Sequence, residues 1–206
     1  MQLTTVIITR NKSASVKTLH SLLRLNIICL ENNIHNRIVF ADDKITARRA
    51  ILQKNLKHAD RILWIEYGVY IDDESLKQVV DGGWNWHGLV FPCVTEGIDW
   101  DMFRQKVDSD EHMSQRGLNF DTQVDKKLKD SFYTVVKTDP KCWCIDTKHF
   151  LKNYKKDKIP PEMSMLFSEL ADTKFKTVAY TGARLIVMYP HECVGNILNA
   201  SGVSHN

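Results

Sequence analysis

"RILWIEYGVYIDDESL", residues 61–76, decides how the rest of the chain is read. Four successive apolar residues, Ile62 to Ile65, lead into Glu66, a Tyr67-Gly68 step and the acids Asp72, Asp73 and Glu74. A short apolar run bounded by turn signals has the form of a strand buried on both faces. The acids that follow supply an N-cap and favourable charge for a helix carrying Leu76, Val79 and Val80. The stretch therefore reads strand, turn, helix, and it delivers a carboxylate at the strand's end.

The same order occurs twice upstream. Val6-Ile7-Ile8 is an apolar, β-branched run ending in Thr9-Arg10-Asn11, and a helix follows that Ser13 or Ser15 can cap. Val16, Leu19, Leu23, Ile27, Leu30 and Ile34 recur at spacings of three and four, so this helix is expected to run to about Asn33. "RIVFADD", residues 37–43, is a second strand ending in two acids, and "KITARRAILQKNLKHAD" is a second helix with a basic face. Alternating strands and helices imply a parallel sheet with right-handed crossovers, whose ligands bind at the carboxyl ends of the strands. "GLVFPCV" predicts a fourth strand, with Pro92 pointing to an edge or bulge, and "SFYTVVKT", "CWCI", "KTVAY" and "ARLIVMY" predict later ones. "DTKHFLKNY" and residues 162–171 have helical spacing, and no internal repeat interrupts the order.

With 206 residues, 43% of them hydrophobic, the chain is expected to form a single domain, 1–206, which can itself be one domain of a longer polypeptide. Its 28 basic and 25 acidic residues interleave, leaving a net charge of +3 and no basic stripe, so nucleic acid is not the expected partner. Five cysteines without a CxxC pair point to buried free thiols rather than a disulfide framework or a zinc ribbon. No signal peptide and no apolar run near the ~18 residues of a membrane span is visible, so the expectation is a cytoplasmic protein with no membrane span.

Reading only strand ends collects Thr9, Arg10 and Asn11, then Asp42 and Asp43, then Glu66, all converging on one sheet edge. A basic or amide group, a carboxylate able to accept from a base N–H and a carboxylate able to hold a divalent cation together suit a nucleotide diphosphate. "TRNKSAS" contains no glycine, so the GxGxxG fingerprint is missing after the first strand, and no Walker loop, GxSxG or HExxH occurs. Dinucleotide redox chemistry and ordinary NTP hydrolysis lose ground accordingly.

The order of motifs resembles the GT-A class of nucleotide-sugar glycosyltransferases, particularly small ones encoded by chlorella viruses and other large DNA viruses of algae. The implied fold is α/β with a GT-A (Rossmann-like) mixed, mostly parallel central sheet flanked by helices. "TTVIITRNKSASVKTLHSLLRLN" is similar to the family's first strand and helix, which implies nucleotide contacts from Thr9, Arg10 and Asn11. "VFADD" matches the strand whose terminal acid meets the uracil edge, implying Asp42 or Asp43, and "TARRA" puts Arg48 at a signature arginine. The opening stretch resembles the metal-motif strand, with Glu66 at the first acid, Tyr67 in the middle and Gly68 where a second acid usually stands. The resemblance implies Mn²⁺ or Mg²⁺ held by Glu66 against the pyrophosphate of a UDP-sugar, with His191 near the position of a further ligand. In "PPEMSMLFSELADTKFKTVAYTGARLIVMYPHE", Glu162 takes the first acid of a later pair and Met163 replaces the second. Glu162 is then the candidate general base and Glu169, two turns on, the alternate. Trp84, Trp86 and Trp100 bracket the fourth strand and are candidates for a platform under the glycan acceptor.

The function so implied is transfer of a hexosyl unit, glucose or rhamnose type, from a UDP-sugar to a glycan hydroxyl with inversion. If the chain is viral, the acceptor is the glycan of a capsid protein, built in host cytoplasm. A sugar-nucleotide pyrophosphorylase is an alternative, against which the glycine-free "TRNKSAS" counts. A catalytically inactive UDP- or glycan-binding module is another, and it would explain Gly68 and Met163 together.

Overall fold

The computed structural model describes residues 1–94, 100–106, 108, 117–156, 158–182 and 186–187. The first half alternates as expected: β1 (Gln2–Thr9), α1 (Val16–Glu31), β2 (His35–Asp42), α2 (Ile45–Asn55), β3 (Arg61–Ile65), a two-residue β4 (Val69–Tyr70) and α3 (Asp73–Val80). The second half carries β5 (Gly88–Val90), α4 (Trp100–Gln105), the hairpin β6 (Thr122–Lys129) and β7 (Phe132–Thr138), β8 (Cys142–Asp146), α5 (Thr147–Asn153), α6 (Met163–Ala171), β9 (Thr177–Tyr180) and β10 (Ile186–Val187).

Eight strands form one sheet in the order β2-β1-β3-β8-β5-β9-β7-β6, and β10 pairs with β4 apart from it. β1, β2 and β3 are parallel, β8 lies antiparallel between β3 and β5, β9 is parallel to β5, and β7 is antiparallel to β9 and β6. Only β7 and β8 therefore run against the others, and the sheet is mixed rather than parallel throughout. An apolar run such as "CWCI" carries no directional signal, which is why the reversal of β8 is invisible in the sequence. β5 ends at Val90, before Pro92, and sits between β8 and β9 instead of at an edge.

Each face of the sheet has its own core. Leu25, Ile28, Leu63, Ile65, Leu76, Val79 and Phe91 pack beneath α1 and α3. Leu52, Trp64, Trp143, Phe150, Leu166 and Phe167 pack beneath α2, α5 and α6. Trp64 and Trp143 are register partners across β3 and β8, and their rings stack with centroids 5.4 Å apart. Such a pair contributes about 1 kcal/mol beyond the area it buries.

The regular apolar stripe of α1 is not its buried face. Its buried face is Thr18, Ser21, Leu22, Leu25, Ile28 and Cys29, while Val16, Leu23, Ile27 and Leu30 are exposed. Thr18 Oγ1 donates to the Val69 carbonyl at 2.7 Å, and Ser21 Oγ donates to the Ile71 carbonyl at 3.0 Å and accepts from its N–H at 2.9 Å. These buried hydroxyls satisfy backbone groups of Val69 and Ile71, at β4 and just past it, which gives the polar residues of this face partners in the interior.

Candidate functional site

At the carboxyl ends of β1, β2 and β3 lies a cleft of about 390 Å³. The first half of the chain contributes Arg10, Asp43, Ile45, Arg48, Glu66 and Tyr67 to its walls, and the second contributes residues 139–141 and Pro161, Glu162 and Met163. Period-two alternation puts Trp64 and Glu66 on one side of their strand, facing α2, and α2 presents Arg48 to them. Arg48 Nη1 donates to Glu66 Oε1 at 2.8 Å, and Nη2 donates to Oε2 at 2.7 Å. Trp64 Nε1 donates to Glu66 Oε1 at 2.9 Å. Arg48 Nη2 also donates to Asp43 Oδ1, while Arg10 Nε donates to Asp43 Oδ2 at 2.7 Å. The Arg10 guanidinium stands 5.3 Å from the centre of the Tyr67 ring.

Two arginines and two carboxylates thus form one chain of ion pairs, Arg10, Asp43, Arg48, Glu66. Burial pushes the Glu66 carboxyl above its ordinary range, against the pull of Arg48. Burial works in the same direction on Asp43, but hydrogen bonds and charge from Arg10 and Arg48 outweigh it and hold that carboxyl below the ordinary range.

Gly68 has φ 80°, and Val69 N–H donates to the Glu66 carbonyl at 3.3 Å. A turn over 66–69 with positive φ at its third residue asks for glycine there. The residue standing where a second acid would be expected is therefore required by the backbone. Thr9 and Asn11 do not line the cleft: Thr9 Oγ1 donates to the Ala41 carbonyl at 3.0 Å. Asn11 and Lys12, at φ 50° and 61°, form the tip of a tight turn closed by reciprocal bonds between Arg10 and Ser13. Asp42 is exposed beside Lys44, at 3.3 Å.

The remaining expected residues divide. Glu162 lines the cleft, is exposed, and makes no capping hydrogen bond to α6. Met163 is buried in the core. Glu169 does not line the cleft; it pairs with Lys156 at 2.7 Å and accepts from Tyr154 Oη at 2.9 Å, which lowers its carboxyl range, and the structure does not bring it together with Glu162 and the arginines. Trp84 is committed elsewhere, with the Arg61 guanidinium 3.9 Å above its ring and its Nε1 donating to the Gln78 carbonyl at 2.8 Å. Trp86 packs on Phe132 and lines a second, larger hollow of about 1100 Å³ with Thr138, Ser164 and Phe167. The two hollows abut at the start of α6, where Ser164 N–H donates to Asp139 Oδ1 at 3.1 Å. His191 and the side chain of Trp100 lie outside the described residues.

Sequence reasoning missed Asp139 and Lys141. They reach the cleft only because β8 runs antiparallel beside β3, where Glu66 N–H donates to the Lys141 carbonyl at 2.9 Å. Among the described residues, the side chains around Glu66 do not fit a resident divalent cation. Both Glu66 oxygens are taken by Arg48, Asp72 caps α3 through Ser75 N–H at 2.9 Å, and Asp73 pairs with Arg24. Among the described residues, no group of three His, Cys, Asp or Glu side chains could share a metal ion.

No protein-family model and no curated protein matches the sequence. Among solved structures, A197 from STIV superposes with a TM-score of 0.53 at 13% identity, over 91% of this chain and 86% of that one. S. aureus TarS 1–349 gives 0.44 at 14% identity, over 87% and 58% of the two chains. A glycosyltransferase involved in the glycosylation of the major capsid of PBCV-1 gives 0.39 at 10%, over 87% and 81%. The first likeness and the strand order establish the fold as α/β of the GT-A (Rossmann-like) kind, with a mixed sheet flanked by helices. Among the described residues, no helix is long and apolar enough to cross a membrane.

Proposed function

We propose that this chain transfers a hexosyl unit, of the glucose or rhamnose type, from a UDP-sugar to a hydroxyl of a glycan acceptor with inversion. The observation that carries the reading is the meeting, in one cleft at the carboxyl edge of the sheet, of Arg10, Arg48 and Lys141 with Glu162. Guanidinium and ammonium groups suit a diphosphate, and an exposed carboxylate beside them suits proton removal. In this reaction the acceptor oxygen attacks the anomeric carbon from the face opposite the diphosphate. The new C–O bond forms as the bond to phosphate breaks, UDP leaves with the electron pair, and the hydroxyl proton passes to Glu162.

The groove beside α6 extends the cleft and mixes hydroxyls with aromatic faces, as a glycan requires. It is the acceptor's path in this reading, with Trp86 under a sugar ring. UDP as the nucleotide and a viral capsid glycan as the acceptor rest on the sequence resemblance.

The test is turnover of UDP-sugars in the presence of a glycan acceptor. Glu162→Gln is expected to lower kcat by about 10²–10⁴ while leaving UDP affinity unchanged. Undiminished turnover in that variant removes Glu162 as the base. UDP binding with no turnover of any UDP-sugar by the wild type supports the rival reading of an inactive binding module, which the burial of Met163 in the core favours.

A further inference from the structure

The clasp of Arg48 on Glu66 has a consequence for how the diphosphate is neutralised, given the nucleotide reading above. A divalent cation at this acid needs carboxylate lone pairs directed at it from short range. At Glu66 three of the carboxylate's roughly four lone-pair positions are taken, two by parallel N–H donors of one guanidinium at 2.8 and 2.7 Å and a third by Trp64 at 2.9 Å, so too few remain to chelate a cation. Gly68 has no side chain to supply a second carboxylate, and its positive φ in the turn disfavours an acid there. The acids nearest in sequence, Asp72 and Asp73, are engaged by Ser75 and Arg24.

We infer that the guanidinium of Arg48 stands in the place of the divalent cation. In the nucleotide complex, Arg48 together with Arg10 and Lys141 neutralises the diphosphate, and Glu66 serves to position Arg48 rather than to hold a metal. A guanidinium carries five N–H donors. Three of those on Arg48 go to Asp43 and Glu66, which leaves two to reach a phosphate oxygen. The fixed fork, held rigid by carboxylates on two sides, presents its charge without the rearrangement that a mobile lysine would need. Lys141 comes from the opposite half of the molecule, so the diphosphate would draw the two halves of the cleft together.

The experiment uses the wild-type chain and two probes. Mn²⁺ alone is titrated with the protein and followed by electron paramagnetic resonance, and UDP is titrated calorimetrically in EDTA and again in millimolar Mn²⁺. The free Mn²⁺ signal is expected to stay undiminished, and the two UDP dissociation constants are expected to agree within about twofold. Stoichiometric loss of the Mn²⁺ signal, or UDP affinity that rises by about tenfold or more with Mn²⁺, overturns the inference. Arg48→Gln is expected to weaken UDP binding in EDTA by about tenfold or more, the worth of a charge-assisted hydrogen bond. If that variant does not fold, Lys141→Met carries the same expectation from the other wall, and unchanged affinity there counts against the inference. Failure of UDP to bind in either buffer defeats the nucleotide reading instead, and the Mn²⁺ spectrum still decides the question of the cation.

Discussion

Gly68 is the position at which sequence and structure give different reasons for the same residue. In the sequence it looks like an acid lost from a metal motif, whereas in the structure its φ of 80° closes the turn between β3 and β4. Restoring the acid is therefore expected to damage the turn without creating a site. Gly68→Asp should lower stability by about 1 kcal/mol or more, the cost of a side chain where φ is positive, in urea unfolding, and should bind no Mn²⁺. A variant that retains full stability and takes up the ion would show that the turn tolerates the motif. At Asp43 the ion pairs have a consequence for pH. Its folded-state carboxyl lies below the ordinary range, so its contribution is fully present above the unfolded value near 4 and is lost as pH falls through the lower folded value. Glu66 acts in the other sense: its carboxyl is raised, so ionisation on going above the unfolded value takes stability away until the folded value is passed. Asp43→Asn should flatten the acid limb of stability measured below about pH 4, and an unchanged acid limb would mean that the clasp contributes nothing to folding. The strand-end acids could be read from sequence because buried runs and the charges that end them are local features. That Asp43 and Glu66 share one arginine could not be, because it depends on how α2 is rotated over the sheet.

At the scale of an element, α1 shows why periodicity alone does not say which face is buried. Two apolar stripes run along it, and the more regular of them, Val16, Leu23, Ile27 and Leu30, faces outward. The inner face mixes Leu22, Leu25 and Ile28 with Thr18 and Ser21, residues that a hydrophobicity count passes over. Their value comes from β4, whose backbone groups they satisfy, and β4 is only two residues long and silent in the sequence. The faces can be told apart by mutation. Leu25→Ala should cost about 2–5 kcal/mol as a core cavity, while Leu23→Ser should stay within about 0.5 kcal/mol as a surface change; equal losses in chemical denaturation would contradict the orientation. α3 is the contrasting case, since Asp72 caps it through Ser75 N–H as its sequence implied. Capping follows from four consecutive residues, whereas choosing between two stripes needs a partner fifty residues away.

The whole molecule is a sheet sewn from two halves at β3 and β8, and the cleft exists because of that seam. The alternation of the first half and the buried strands could be read directly, since each follows from composition over a dozen residues. The antiparallel placement of β8 could not, and with it went Asp139 and Lys141, which stand about 75 residues along the chain from Glu66 and meet it across one strand pairing. A ligand gripping Arg48 on one side and Lys141 on the other ties those halves together, so occupancy should appear as global stability rather than local order. Anything that binds only the folded state stabilises it by RT ln(1 + L/Kd), with L the free ligand concentration. UDP at a hundred times its Kd should contribute about 2.7 kcal/mol, roughly 5–10 °C in Tm for a chain of this length. The diphosphate is common to UDP and GDP, so any excess of UDP over GDP in the shift measures recognition of the base. CMP carries a pyrimidine but one phosphate, and its shift should be the smallest if the arginines and Lys141 supply most of the grip. Thermal unfolding of the wild-type chain with each nucleotide at equal concentration checks both points. Equal shifts for UDP and GDP would remove the uracil assignment while leaving the diphosphate site intact, and a CMP shift as large as that of UDP would place the grip on the base instead.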